Sequence, residues 1–483
     1  MDIELDLRRH DLLIDGKRVP PSSGEYSVNI NPATEEPIAL VAQGGAADVD
    51  TAVRAARAAL KVWNALRAAE RGRILGRFAE LLRTHQDELA TLESLDAGKP
   101  IAAVQRQDLP AAIDTLAYYA GWCDKITGQV VPVRPDALTY TIREPVGVVA
   151  AIVPWNFPLM IGMWKIAPAL ACGCTMIVKP AEITPLTALR VGELALEAGV
   201  PPGVLNIVTG KGRVVGDALV AHPDVDKVTF TGSPSVGRGI LQGAAVNFKR
   251  VTLELGGKSA NVIFPDANLD NAVRAAASGI FFNTGQVCSA GSRILAHRDV
   301  YDEVVERLAT RAKSIKVGDP AARETSMGPV VSAAQMKTVL DYVDIGREEG
   351  ATLVTGGARL GTRGFFVEPT VFASVEHEMR ISQEEIFGPV ASVIRFDDEA
   401  DAIRIANGTL YSLAAGVWSA DIGRVHRVAH ALKAGTVWIN TYGYTDVRLP
   451  WGGAGDSGFG REHGDVAIEN FTEPKAVWLS IDQ

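Results

Sequence analysis

The chain has 483 residues, too many for one hydrophobic core, so two or three domains are expected. Its 47% hydrophobic and 22% charged content is that of an ordinary globular protein and excludes a disordered one. The formal net charge, 48 − 57 = −9, comes without a run of basic residues; this argues against a nucleic-acid partner, because neutralising phosphates takes clustered Lys and Arg.

Met1 to His10 hold three acids and no apolar stretch, so no secretory signal is expected. Residues 46 to 98 are rich in Ala, Arg and Leu at helical spacing: Val49, Val53, Ala56 and Leu60, then Ile74, Phe78, Leu81 and Leu82. Gly98-Lys99-Pro100 stops this helical stretch. From Tyr118 to Thr141 the β-branched stretches around Gly128 and Pro132 predict an extended hairpin leaving the domain body. The longest apolar run, Val146 to Val153, is closed by Pro145 and Pro154 and is too short to span a bilayer; Lys165 interrupts the next. No membrane association is expected.

A regular alternation follows. Strands are predicted at Val148–Val153, Thr175–Lys179, Val204–Val208, Lys227–Thr231 and Arg250–Leu255, separated by helices at 160–171, 185–198, 212–221 and 235–245. Short buried strands alternating with helices mean βαβ units and a parallel sheet. A second α/β set has strands at Ala260–Phe264, Arg293–Ala296 and Val390–Phe396, with helices at 268–282, 299–313, 332–349 and 421–432. The four cysteines, Cys123, Cys172, Cys174 and Cys288, are too few for a disulfide framework. Cys172-Gly-Cys174 has no second Cys/His cluster and reads as packing, so a reduced, cytoplasmic protein without a metal site is expected.

Three short segments carry chemistry. Pro154-Trp155-Asn156-Phe157-Pro158 offers a side-chain amide, Leu253-Glu254-Leu255-Gly256-Gly257-Lys258 a carboxylate, and Gly285-Gln286-Val287-Cys288-Ser289 a thiol. In that order they resemble the aldehyde dehydrogenase superfamily, and the resemblance runs from about Asn29 to Val477. It implies an α/β fold in three parts: a Rossmann-type parallel-sheet cofactor domain over 1–126 and 146–256, a second α/β catalytic domain over 257–470, and a small β oligomerisation element from 127–145 and 471–483. The exposed strand edges of that last element call for a partner subunit, so a homodimer or homotetramer is expected.

The resemblance further implies NAD-dependent oxidation of a small-molecule aldehyde to its acid. Cys288 would attack the carbonyl, Asn156 and the Cys288 amide would hold the oxyanion, and Glu254 would activate the water that releases the acid. Relatives that pass the thioester to coenzyme A lack this base, so Glu254 points to hydrolysis. Lys165 and Glu462 are expected either to form a proton path with Glu254 or to make a structural ion pair.

For the cofactor, Pro154, Trp155 and Leu255 belong to the matching motifs, and Lys179 and Glu182 would bind the adenosine ribose. That carboxylate disfavours a 2′-phosphate and hence NADP. Gly232, Ser233 and Gly237 frame a helix start suited to phosphate. Gly212 and Gly216 miss the usual glycine spacing by one residue and read better as glycines that pack a helix close against strand and adenine. Glu385 would hold the nicotinamide ribose with Phe387 nearby.

Phe157, Met160, Ile161, Trp164, Phe282, Val287, Ser289 and residues 440–448 would line the aldehyde tunnel. Tyr442, Tyr444, Asp446 and Arg448 are its polar members. A medium-sized aliphatic or aromatic aldehyde fits such a lining; Asp446 and Arg448 would instead suit a semialdehyde or betaine aldehyde. A catalytically inactive structural or binding protein on this fold is the non-enzyme alternative.

Overall fold

In a computed structural model residues 7–481 are described. The reading of a missing signal in Met1–Asp6, and the outermost ends of the first and last expected ranges, lie outside the described residues.

The strand Val148–Ile152 is buried along its whole length, as a near-continuous apolar run flanked on both faces must be. It pairs in parallel with Thr175–Lys179 on one side and Lys227–Thr231 on the other. Leu205–Ile207 and Arg250–Glu254 extend the parallel set outward in the two directions. The chain therefore leaves the central strand first one way and then the other. This creates a crevice beyond the carboxyl ends of Val148–Ile152 and Lys227–Thr231, the switch point where open α/β sheets bind ligands.

Antiparallel strands complete this eight-stranded sheet, with Leu12–Ile14 and Lys17–Val19 at one edge and Gly458–Phe459 at the other. The last of these comes from far along the chain and pairs Glu254 with Gly458. A second, seven-stranded sheet centres on Arg293–His297 and Ala260–Ile263 and is parallel except for its edge strand Thr352–Thr355.

The α/β architecture and the alternation of elements agree with the sequence reading. One difference concerns 118–141. The helix Leu109–Ala120 runs through Tyr118, so the extended part begins later; the long strand Ala137–Pro145 pairs with Thr472–Ser480 on one side. On its other side residues 129–131 fold back against it as a short hairpin, with a bridge between Val130 and Tyr140, the Val131 amide on the Thr139 carbonyl at 3.0 Å and the Thr141 amide on the Gln129 carbonyl at 2.8 Å. Pro132 and Pro135 lack the amide donors a ladder needs, so the segment before Ala137 cannot form a regular strand. The strand Ala414–Trp418 was not expected, because Ala414-Ala415-Gly416 carries no β signal of its own, and Thr436–Ile439 is a further strand outside the expected set.

Candidate active site

The chain emerges from the strand ending at Ile152, turns through Pro154 and Trp155, and enters the helix Pro158–Ala171 with Pro at its first position. Asn156 lies in that turn, buried, and its amide donates to the Gln286 carbonyl at 2.9 Å. One amide hydrogen is spent on that contact, leaving the second for another acceptor. Gln286 is two residues before Cys288, so the expected oxyanion donor and the expected nucleophile come from different sheets into one place.

Cys288 follows a strained turn. Asn283 (φ 48°), Thr284 (φ 57°) and Gly285 (φ 71°) are successively left-handed. A side chain at 285 would also overlap the Gly388 main chain, so glycine is required there. Such strain persists only where the surroundings impose it. Here Thr284 Oγ1 donates to the Gly328 carbonyl at 3.0 Å, and Gln286 Oε1 accepts from the Val331 amide at 2.9 Å. Cys288 itself is half-buried, yet closely enough enclosed that burial pushes its thiol up to about 12, with Glu385 and Glu254 adding to the rise. The backbone amides of Ser289 and Cys288 oppose that shift and favour the thiolate.

Glu254 ends the strand Arg250–Glu254. It is buried, and neither carboxylate oxygen accepts a hydrogen bond. Burial holds its acid well above the ordinary 4.5, and the neighbouring Glu462 raises it further. Lys165, fully buried, pairs with Glu462 and donates to Thr229 Oγ1 at 3.2 Å. Two of the three residues of the expected proton path are thus in contact. Glu254 is within electrostatic reach of both without a hydrogen bond to either.

The expected cofactor residues lie along the crevice. Lys179 closes its strand with its ammonium on the Pro180 carbonyl at 2.9 Å; burial lowers its pKa to about 8. Glu182 Oε1 accepts from the Gly212 amide at 2.6 Å. Gly212 and Gly216 leave their surface open on the protein side. A β-carbon at either would meet its nearest neighbour at 3.9 or 3.8 Å, an ordinary contact, and the segment Gly212–Gly216 is a π-helical turn. Ser233 caps the helix Pro234–Ala244, whose Gly237 packs against Leu255.

At the far end Trp155 meets the Phe387 ring edge-on, 5.1 Å between centroids, and Glu385 Oε1 accepts from the Gly257 amide at 2.9 Å. Burial raises Glu385 to about 7. A side chain at Gly256 would overlap that carboxylate, so the glycine makes room for it. A buried cation, a carboxylate at the start of a π-turn, a capped helix start and a second carboxylate near the thiol fit an extended diol-and-phosphate ligand such as a dinucleotide.

On the aldehyde side Phe157, Ile161 and Trp164 form one apolar cluster with Met160, Phe282, Val287 and Cys288 against it. The Phe157 and Phe282 rings lie 6.2 Å apart. Ser289 is buried, and its carbonyl accepts from the Tyr442 hydroxyl at 2.9 Å. Tyr442 is therefore no polar wall, because its hydroxyl is consumed behind the nucleophile. Tyr444 is 75% exposed. Asp446 and Arg448 bind each other at 2.7 and 2.8 Å on the surface. Trp451, which the sequence did not single out, meets Trp164 at 6.0 Å and Trp438 at 6.3 Å. No local signal in the sequence joins residues so far apart along the chain.

Residues 19–477 match the sequence profile of the aldehyde dehydrogenase family. An aldehyde dehydrogenase of Aspergillus niger is 49% identical over 468 residues, which cover 96% of this chain and 94% of that protein. The structure of an aldehyde dehydrogenase from Bacillus cereus in its NAD+ complex superimposes with a TM-score of 0.97 at 47% identity, covering 98% of this chain and 97% of that one. A betaine aldehyde dehydrogenase from Staphylococcus aureus, also with NAD+, has a TM-score of 0.96 at 41% identity over 98% and 95% of the two chains.

Proposed function

The chain belongs to the aldehyde dehydrogenase family, and on that premise we propose how its residues divide the work of oxidising an aldehyde to the carboxylic acid with NAD. The observation that carries the reading is that Asn156 reaches the Gln286 carbonyl beside Cys288, that Glu254 acts electrostatically on the Cys288 thiol, and that this thiol packs against one apolar cluster.

The Cys288 sulfur, as thiolate, forms a bond to the aldehyde carbon. The second Asn156 amide hydrogen and the Cys288 N–H hold the resulting alkoxide. Losing one such donor costs roughly 2.7–4 kcal/mol of transition-state stabilisation. Bound NAD supplies the hydride acceptor whose use leaves a thioester on Cys288. Lys179 and Glu182 would hold the adenosine end of the cofactor, the Ser233 helix start its phosphates, and Glu385 its second ribose. Glu254 takes a proton from water, the water oxygen bonds to the thioester carbon, and the C–S bond breaks to return the thiolate. Lys165 and Glu462 form a buried pair that sets the field at Glu254.

The sheet containing Val148–Ile152 serves the cofactor and the sheet containing Arg293–His297 carries the nucleophile, with the paired strands 137–145 and 472–480 set apart for assembly. Absorbance of NADH with propanal, benzaldehyde and a wider aldehyde panel tests the activity. Production of NADH is expected, and silence across the whole panel would favour an inactive protein on the same fold. The apolar walls predict the highest kcat/KM for aliphatic and aromatic aldehydes of medium size. The charged-end alternative would draw on Asp446 and Arg448, which pair with each other at the surface, and a higher kcat/KM for a semialdehyde or betaine aldehyde would favour it.

We further infer a cytoplasmic homo-oligomer. All four cysteines are free, and among the described residues no helix is long and apolar enough to cross a membrane. The two-stranded ladder exposes Trp478 (61%), Leu479 (55%), Leu138 and Ile142, an apolar edge suited to a second copy. Replacing Trp478 and Leu479 together with Glu is expected to lower the mass seen by light scattering to that of a monomer. An unchanged mass would place the interface elsewhere.

A further inference from the structure

The helix Gln86–Ala97 ends at Gly98 in the left-handed conformation, and the turn sends Lys99 inward, where it is 1% exposed. There it pairs with Asp108, which is fully buried and sits at the end of the π-helical turn Val104–Asp108. The ammonium makes two further contacts, and the buried Glu93 carboxylate lies within its electrostatic reach. The ammonium donates to the main-chain carbonyl of Asn156 at 3.3 Å and lies 3.8 Å from the centroid of the Phe157 ring. The other donor to that carbonyl is Asn283 Nδ2, at 3.0 Å, which also reaches the Gln286 carbonyl at 3.2 Å. One residue type from each side of the site thus fills the two acceptor positions of the Asn156 oxygen. From the same helix Glu93 accepts from the Leu159 amide at 3.3 Å and from Thr187 Oγ1 at 2.8 Å, holding the next turn of chain.

A buried ion pair is poorly explained by stability, since well-packed apolar residues of similar volume serve that purpose as well or better. What this pair does accomplish is to fix a peptide whose side chain must present an amide hydrogen in one direction. Preorganised donors act only when held within about 0.5 Å and 10–20° of the productive geometry. We propose that Lys99, anchored by Asp108 and seconded by Asn283, is a positioning residue that aims the Asn156 amide at the oxyanion and seats the Phe157 ring against the aldehyde. The inference rests on the reading of Asn156 as the oxyanion donor.

Lys99→Met keeps the length of the side chain without its charge. In a rapid-mixing experiment with NAD and a good aldehyde, it is expected to slow the burst of NADH roughly 10- to 100-fold, as a misaimed donor would. Alkylation of Cys288 by iodoacetamide needs no oxyanion donor and is expected to stay within about twofold of the parent. Asn156→Ala should slow the burst as well, and adding Lys99→Met to it should cost little more, because the two act as a unit. Asp108→Asn, which loosens the lysine while preserving shape, supplies the test if Lys99→Met fails to fold; its burst should fall in the same direction with alkylation again spared. A burst within twofold of the parent in these variants, a parallel loss of alkylation, or full additivity with Asn156→Ala overturns the proposal. If Asn156→Ala itself leaves the burst intact, the oxyanion reading fails instead.

Discussion

Glu254→Gln is expected to release one equivalent of NADH per active site and then stall, with steady-state kcat lower by roughly 10²- to 10⁴-fold, the usual contribution of a positioned general base. The burst survives because attack by sulfur and loss of hydride do not call on this carboxylate. The stall follows because the thioester then has no group to deprotonate its water. Glu254 suits the role through its isolation: buried, with both oxygens free of hydrogen-bond donors, it has nothing to give up before taking a proton.

The same isolation has a pH consequence. Burial, with Glu462 behind it, holds the acid well above 4.5, so the ionised base appears only at higher pH and hydrolysis should climb through that raised value. A glutamine abolishes this ascending limb. Stability moves the opposite way. Above 4.5 the unfolded chain ionises Glu254 before the folded one does, so the parent loses stability as pH rises toward the folded value. The variant is spared that loss, and its melting temperature relative to the parent should increase with pH. Undiminished steady turnover in Glu254→Gln would remove this residue from the deacylating role.

The parts of the molecule legible in the sequence are those whose signal is local. The five parallel strands from Val148 to Glu254 are short apolar runs between helical stretches, and they were readable because a strand buried on both faces tolerates little else. Motif spacing likewise marked Asn156, Glu254 and Cys288. What stayed hidden depends on partners distant in the chain. Lys99 figures in the sequence only as part of a helix stop; nothing local announces that Asp108 and the Asn156 carbonyl close around it. Tyr442 reads as a polar wall until its hydroxyl is found on Ser289. Asp446 and Arg448, two residues apart, read as substrate-greeting charges although their own separation already allowed them to neutralise each other. Buried polar groups must find partners, but only the fold says which.

The severest loss is expected of Cys288→Ala, with aldehyde oxidation falling by roughly 10⁴-fold or more, as when a covalent nucleophile is removed from a site that otherwise still binds its substrate. The substitution deletes one half-buried atom from a turn held by Thr284 and Gln286, so folding and NAD affinity should be retained. Acidity does not single this thiol out. Burial pushes Cys123 up to about 11, Cys174 to about 12 and Cys172 well above its ordinary value, so Cys288 at about 12 is no easier to ionise. Access does. The other three are buried with their sulfurs against main-chain carbonyls of Tyr119, Ile468 and Phe471, whereas Cys288 alone is half-open and lies against the aromatic cluster. Iodoacetamide should therefore modify Cys288 first, about tenfold faster per pH unit while the thiolate remains the minor form, and acid-quenched mass spectrometry should find the acyl group on the peptide containing it. Oxidation that continues in the alanine variant, or an acyl adduct on any other peptide, would mean that the reaction does not pass through this sulfur.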